Sequence, residues 1–193
     1  MIDSEAKFKE YISTEKRLYT EIGYKGRLHA MLTQCEVGKL YQYIYVLRKD
    51  EYYSNMEKKS IINKIKALYY RRKHNTLGLK LGISIPINTF KKGLLIYHSQ
   101  GIVVHRDSRC GEFCKLHGCN CIGNNGFGGG KDNTPIVGNN LNLGFGSMLI
   151  GNIKIADNSI IAANAVVCKS ILNQGETWGG VPAKLIKGKS NEI

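Results

Sequence analysis

The sequence predicts an α+β chain in which a helical N-terminal region precedes a coil of short, stacked β-strands. Apolar residues recur near helical spacing before residue 76, and a six-residue apolar period begins at Val104. The chain has 22 glycines but 3 prolines among 193 residues, which excludes collagen and Pro-rich disorder. This length is sufficient to bury a core without disulfide staples.

Residues 1–76 are predicted to form a basic α-helical region. Apolar side chains near helical spacing indicate one helix over 36–55 and a second over 60–73, with Ser60 as its N-cap. Gly78 and Gly82 are expected to end the helical pattern. No motif in this region matches a known family closely.

The charge distribution favours an anionic partner. The formal net charge is +13, and residues 1–80 contribute +8 of it. A phosphorylated small molecule or an anionic membrane surface fits this charge, whereas no nucleic-acid-binding motif is visible and no nucleic acid is expected. The N-terminus lacks the pattern of a signal peptide and no apolar run reaches about 18 residues, so we expect a cytoplasmic protein.

Residues 77–193 are predicted to form the second domain, in which every sixth residue is apolar. Such a unit makes one flat face and one corner, and three units close a triangular turn that stacks on the next at about 4.8 Å. The inward positions are Val104, Cys110, Leu116, Ile122, Val137, Leu143, Leu149, Ile155, Ile161 and Val167. The positions four residues later, such as Ser108, Cys114 and Ser147, are mostly small or aliphatic and are expected inside as well.

The six cysteines allow two interpretations. Cys110, Cys114, Cys119 and Cys121 form a group, but their spacing differs from that of paired zinc knuckles. The repeat places Cys110 and Cys114 at inward positions, where free cysteine acts as a small apolar residue. We therefore expect no metal.

The repeat is interrupted once, by a loop over 123–136. Ile122 and Val137 are 15 positions apart, and the intervening stretch contains five glycines. A flexible loop on a rigid scaffold is a common position for substrate-binding residues. The candidates for substrate contacts are Asn124, Asn125, Asp132 and Asn133.

With these features the chain resembles the serine acetyltransferase family, and more narrowly its shorter members from bacterial surface-polysaccharide clusters. The resemblance rests on the hexapeptide repeats, on His98 within Ile96–Val104, and on the ending Gly179-Gly180-Val181-Pro182-Ala183-Lys184, and it covers about residues 77–188. It implies that the coil is a left-handed parallel β-helix of hexapeptide repeats. It also implies a homotrimer that binds acetyl-CoA between adjacent subunits.

The resemblance assigns roles to individual residues. The family's catalytic histidine corresponds to His98, and its small coenzyme-facing residue to Ala163. Its turn near the coenzyme corresponds to Gly180, Val181, Pro182 and Ala183. Lys184 and Lys187 are candidates for the coenzyme phosphates. Trp178 is a candidate for packing on the adenine, or it simply caps the last turn.

Three departures from the family concern the acceptor and the orientation of the catalytic histidine, which the family's earlier aspartate provides. The family's aspartate before the catalytic histidine is Tyr97 here, its aspartate fifteen positions earlier is Ile83, and its Arg-His pair in the loop is Asn133 and Thr134. In the family, an aspartate and the Arg-His pair help to bind the amino-acid acceptor. Their replacement favours a surface-polysaccharide sugar as the acceptor, with serine as the alternative.

The chemistry of acetyl transfer needs a base, because a hydroxyl is a weak nucleophile until its proton is taken. Histidine suits this role near neutral pH. His98 lies six residues before Val104, so the repeat predicts an inward position for it. His117 lies 19 residues after His98, on the next turn, and is a candidate second acid or base. Asp107, Glu112 and Asp132 are candidates for orienting His98.

Two other classes of function remain open from the sequence alone. A zinc-dependent hydratase could use histidines of the coil, although His98, His105 and His117 are poorly spaced for it. Alternatively, the coil would only trimerise, while the helical region binds an anionic partner without catalysis.

Overall fold

The computed structural model describes residues 1–56, 60–126 and 133–188. Four helices precede the strands. Their bounds are α1 Glu5–Glu21, α2 Arg27–Thr33, α3 Glu36–Asn55 and α4 Ile61–Leu81. Within the described ranges, no helix is both long enough and apolar enough to cross a bilayer.

Both helices predicted from the sequence are present. The bounds of α3 coincide with the prediction, and the Ser60 hydroxyl caps α4 by accepting from the Asn63 amide at 3.2 Å. However, α4 continues past residue 76 and through Gly78. A Cβ on Gly78 would come within 2.5 Å of the Ile83 carbonyl oxygen, so this glycine allows close packing and does not end the helix. The helix ends at Gly82, whose φ is +64°.

The rest of the chain forms short strands. These are β1 Ile83–Ser84, β2 Leu95–Ile96, β3 Ile102–Val104, β4 Arg109–Cys110, β5 Lys115–Leu116, β6 Cys121–Gly123, β7 Ile136–Val137, β8 Asn142–Leu143, β9 Met148–Ile150, β10 Lys154–Ile155, β11 Ile160–Ile161, β12 Val166–Val167, β13 Thr177–Gly179 and β14 Lys184–Lys187.

The strands wind into a three-sided parallel coil, as predicted. One side contains β1, β3, β6, β9 and β12; the second contains β4, β7 and β10; the third contains β2, β5, β8, β11, β13 and β14. Residues 18 positions apart pair in the upper turns, as Leu143 does with Ile161 and Leu149 with Val167. Only the terminal pair β13–β14 is antiparallel among the strands described.

The interior of the coil follows the predicted period. All ten inward positions are buried, and so are the positions four residues later except Gly126, which belongs to the loop. Cys110 and Cys114 lie among them as free thiols, and burial raises the pKa of Cys114 to about 12. Asn120 is polar but satisfied: its side-chain oxygen accepts from the Gly118 amide at 2.9 Å, and its amide donates to the Gly144 carbonyl at 2.7 Å.

A buried charged cluster fastens the helices to the first turn of the coil. The Arg48 guanidinium on α3 donates to Glu15 on α1 at 2.7 Å and to Glu51 at 2.8 Å. It also donates to the backbone carbonyls of Phe90 and Lys91 at 3.0 and 2.8 Å. Because Arg48 is fully buried and uses all of these acceptors, the cluster fixes α1 and α3 against the coil.

Candidate active site

The candidate site follows one edge of the coil, at the corner between the β2–β5–β8–β11 side and the β3–β6–β9–β12 side. We call it the His98 edge. Backbone hydrogen bonds connect its successive levels, for example from Cys119 N to Gln100 O and from Asn164 N to Phe145 O. The residues on it, level by level, are His98, Gly118, Phe145, Ala163 and Gly180.

The predicted inward position of His98 is wrong. Its side chain is 62% exposed and lies outside the coil. The reason is the register of the first turn: Ile96 pairs with Leu116, 20 positions away, so this turn is two residues longer than the 18-residue repeat. The additional residues widen the corner after Ile96, and His98 projects from it into solvent.

A carboxylate from the helical region faces His98. The Glu36 Oε2 atom lies 3.4 Å from His98 Nδ1. Its other oxygen accepts from the Ser99 backbone amide at 2.8 Å and from the Ser99 hydroxyl at 2.9 Å. An ionised Glu36 accepts a hydrogen bond from Nδ1–H, which leaves the lone pair of Nε2 free on the exposed edge.

The local environment keeps Glu36 charged. The hydrogen bond from the Ser99 backbone amide, followed by those from the Ser99 hydroxyl and His98, lowers the pKa of Glu36 against the opposing effect of partial burial. Glu36 is the first residue of α3, where the helix dipole also favours an anion. Gly38 helps to place this helix end, because a Cβ there would overlap the Ala30 side chain of α2.

Sequence reasoning did not find Glu36, since no motif points from the helices to His98. Two of the three carboxylates it suggested make other contacts. Asp107 lies beside His105, with 3.9 Å between the carboxylate and Nδ1, and Glu112 lies 3.8 Å from the Lys92 ammonium. Asp132 lies outside the described residues.

His117 lies next to the His98 edge, one turn further along. Its ring stacks on Tyr97 with 4.5 Å between centroids and 16° between planes. Its Nε2 lies 2.8 Å from Asn142 Oδ1, which fixes the plane of the ring. His98 and His117 therefore lie on neighbouring turns and are offset by one residue, as expected. The Tyr97–His117 pair forms a flat aromatic wall beside His98.

The predicted coenzyme residues gather at the far end of the same edge. The turn from Gly180 to Ala183 rests on β12: Val166 N donates to Gly180 O at 3.0 Å, and Ala183 N to Val166 O at 2.8 Å. Ala163 is exposed beneath this turn. Four levels separate His98 from Gly180, which corresponds to about 19 Å at the spacing of adjacent strands.

The remaining coenzyme candidates lie on the last two strands. Lys184 and Lys187 are exposed on β14. Trp178 lies in register with Ile161, packs partly against the core, and donates from Nε1 to Glu176 at 2.8 Å. This position fits the second interpretation of Trp178, in which its ring caps the last turn of the coil.

The loop residues lie on a different edge. The 123–136 loop leaves β6 and returns at β7, at the corner between the first and second sides. Asn133 donates to Asn125 at 2.6 Å across the base of the loop, and Asn124 is exposed beside them. Within one chain, the described part of the loop is therefore not brought to His98.

The described residues contain no group of three or more His, Cys, Asp or Glu side chains arranged to hold a metal ion. All six cysteines are free thiols.

Comparisons with known proteins relate the chain to serine acetyltransferases. It is 30% identical over 109 residues to the serine acetyltransferase of Synechococcus elongatus, a match that covers 56% of this chain and 44% of that protein. It is 33% identical over 113 residues to that of Staphylococcus epidermidis, covering 58% and 52%. The chain thus spans about half the length of these curated relatives. No model of a known protein family matches it.

Solved structures give the same fold. The soybean serine acetyltransferase apoenzyme superposes with a TM-score of 0.72 at 20% identity, over 94% of this chain and 70% of that one. The Neisseria gonorrhoeae enzyme in complex with serine superposes with a TM-score of 0.70 at 19% identity, over 95% and 71%. The coil is therefore a left-handed parallel β-helix, and the helical region belongs to the matched fold.

Proposed function

We propose that this serine acetyltransferase-like chain is an acetyl-CoA-dependent O-acetyltransferase with His98 as its general base. The observation that carries the proposal is the contact of His98 with Glu36 on an exposed edge of the coil. The similarity to serine acetyltransferases supports the same activity from an independent direction.

The reaction needs no covalent enzyme intermediate, because the thioester is already activated. Nε2 of His98 takes the proton of the acceptor hydroxyl while the oxygen attacks the thioester carbonyl. The tetrahedral intermediate then collapses, the carbon–sulfur bond breaks, and the imidazolium returns its proton to the departing thiolate. Glu36 holds Nδ1–H throughout and stabilises the transient imidazolium as a positioning residue. His117 is the second candidate acid or base.

The His98 edge is proposed to carry acetyl-CoA along its length. The thioester would lie at His98, and the coenzyme would run past Ala163 to the turn Gly180–Ala183. Exposed Lys184 and Lys187 beside that turn suit its phosphates. Trp178 remains a candidate contact for the adenine through the exposed part of its ring.

A homotrimer would complete the site. The described loop residues Asn124, Asn125 and Asn133 lie at a different corner of the chain from the His98 edge. In the proposed three-fold assembly, the loop corner of one subunit would lie next to the His98 edge of its neighbour. We therefore assign the loop residues to acceptor binding across the subunit boundary, in the cytoplasm where acetyl-CoA is available.

Serine is the first acceptor to test. The relatives described above are serine acetyltransferases, whereas the comparisons give no support to the surface-polysaccharide sugar predicted from the sequence. A sugar hydroxyl is the second candidate, because the Tyr97–His117 wall is a surface on which a sugar ring stacks and the family's Arg-His pair is missing.

A thiol-release assay with acetyl-CoA and a panel of serine, homoserine and free or nucleotide-linked sugars tests the proposal, with product mass as the second readout. We expect His98→Ala to lower turnover by about 10²- to 10⁴-fold. Leu172→Ala is the control, because this exposed residue lies at the corner between the second and third sides, away from both His98 and the loop. Equal turnover of wild type and His98→Ala, with intact fold, would end the assignment.

A further inference from the structure

The outer face of α4 is an apolar stripe that none of the described residues covers. Ile61, Ile65, Leu68 and Leu79 recur at spacings that place them on one side of the helix. They are 77%, 63%, 73% and 86% exposed. Ile62 and Tyr69 widen this surface and are also exposed. The apolar surface is densest from Ile61 to Tyr69 and is interrupted before Leu79, where Arg72 and Thr76 take the same side of the helix. An exposed apolar surface of this kind marks an interaction site.

Cations flank this α4 stripe on both sides, and Arg72 lies within it. The helix carries six Lys or Arg side chains and no Asp or Glu. Arg71 pairs with Asp50 at 3.0 Å, whereas no ion pair joins the other five to the carboxylates of the described residues. These five are Lys64, Lys66, Arg72, Lys73 and Lys80. The charge therefore favours an anionic partner and disfavours a second copy of the same helix.

A basic groove adjoins one margin of the stripe. It lies among the four helices, has a volume of about 1070 Å³, and shares Lys73 and Lys80 with the margin. Lys16, Arg27 and Lys39 line it from the other helices, and its lining contains no carboxylate. Cations at this density beside an apolar stripe suit phosphate headgroups next to acyl chains.

We propose that α4 docks the protein onto an anionic membrane surface. The stripe enters the boundary between headgroups and acyl chains, and the flanking cations and the groove contact lipid phosphates. The helix lies in the plane of the membrane and does not span it. Membrane docking would bring the enzyme to a lipid-borne or surface-bound substrate, but it does not depend on acetyl transfer.

Flotation with vesicles tests the proposal on the full chain without acetyl-CoA, so its failure leaves the proposed catalysis untouched. We expect flotation with vesicles of phosphatidylglycerol and phosphatidylcholine, and none with phosphatidylcholine alone. Ile65→Asp/Leu68→Asp should weaken binding by about 100-fold or more, and Lys66→Gln/Arg72→Gln by about fivefold for each charge removed. Leu172→Asp, at an exposed position on the coil, is the matched control.

Two measurements keep the test decisive. Circular dichroism must show that the variants fold, which is expected because the changed side chains are exposed. Light scattering gives the oligomeric mass of wild type and Ile65→Asp/Leu68→Asp. Flotation that needs both anionic lipid and the stripe, with unchanged mass, supports docking. Absence of flotation, equal flotation on neutral vesicles, or a lower mass of the double variant would overturn it.

Discussion

The coil and the helical region are held together by different kinds of interaction. In the coil, identical positions stack turn upon turn, as Leu143 does on Leu116 below and Ile161 above. The helical region instead depends on contacts that occur once, such as the Arg48 cluster and the Asp50–His74 pair between α3 and α4. The coil is therefore a redundant scaffold, whereas the helices combine an apolar core that they share with the coil with a few buried polar groups that occur once.

The difference explains the position of the candidate site. A repeating scaffold supplies a straight edge with His98 at one end, but the repeat has no position for a carboxylate beside it. The helical region, freed from the repeat, supplies Glu36. The proposed catalytic pair thus has one member from each region.

Removal of the Arg48 side chain should produce the largest difference in stability between the helical region and the coil. Arg48→Ala leaves Glu15 and Glu51 buried without their cation, which should cost about 3–5 kcal/mol of unfolding free energy. Urea unfolding followed by helical circular dichroism and by fluorescence of Trp178, the one tryptophan, reports the two regions separately. The helical signal should fall first, and exposed Arg17→Ala should change neither. Simultaneous loss of both signals would show that the coil depends on the helices.

A cavity-forming substitution in the coil should lower the stability of the coil, in contrast to Arg48→Ala, which acts on the helical region. Leu143→Ala removes a fully buried side chain from the stacked rows and should destabilise the coil by about 2–5 kcal/mol. Here the tryptophan signal should shift to lower urea. Leu172→Ala, at a 73% exposed position, serves as the control. A shift as small as that of the control would contradict the stacked core.

Glu36→Gln tests whether the helical region contributes to catalysis at the His98 edge. Because the amide keeps the size but loses the charge, kcat should fall about 10- to 100-fold, the range for removing a partner that orients a histidine. KM for acetyl-CoA should change little, and Glu36→Asp should recover part of kcat. Exposed Glu21→Gln is the control. An unchanged kcat in a folded Glu36→Gln protein would remove the helical region from the site.

The smallest expected effect is a loss of stability of the helical region at acidic pH, through Asp50. Burial pushes the pKa of Asp50 upward, but hydrogen bonds from His74 and Arg71 outweigh it and leave the pKa below its ordinary value. A lowered carboxyl pKa adds stability above about pH 4, which is lost as the pH falls through the folded-state pKa. The difference in unfolding free energy between wild type and Asp50→Asn should therefore narrow between pH 6 and pH 3. A constant difference would contradict this role.

The sequence predicted the coil because its signal is repeated. Ten inward positions agree on one period, and the cysteines at two of them follow from it. The position of His98 was mispredicted because two additional residues in the first turn break the register that extrapolation assumes. The role of Glu36 could not be predicted from the sequence, because 62 positions separate it from His98. Its placement also depends on the close packing of Gly38 against α2, which no local sequence pattern encodes.

The state of the His98 ring tests the central claim most directly. Nitrogen NMR of ¹⁵N-histidine-labelled protein, with His98 assigned by its loss in His98→Ala, identifies which ring nitrogen carries the proton in the neutral form. We predict a protonated Nδ1 and a free Nε2, with this preference lost in Glu36→Gln. A proton on Nε2 in the wild type, or no change on removing the carboxylate, would contradict a base oriented by the helical region.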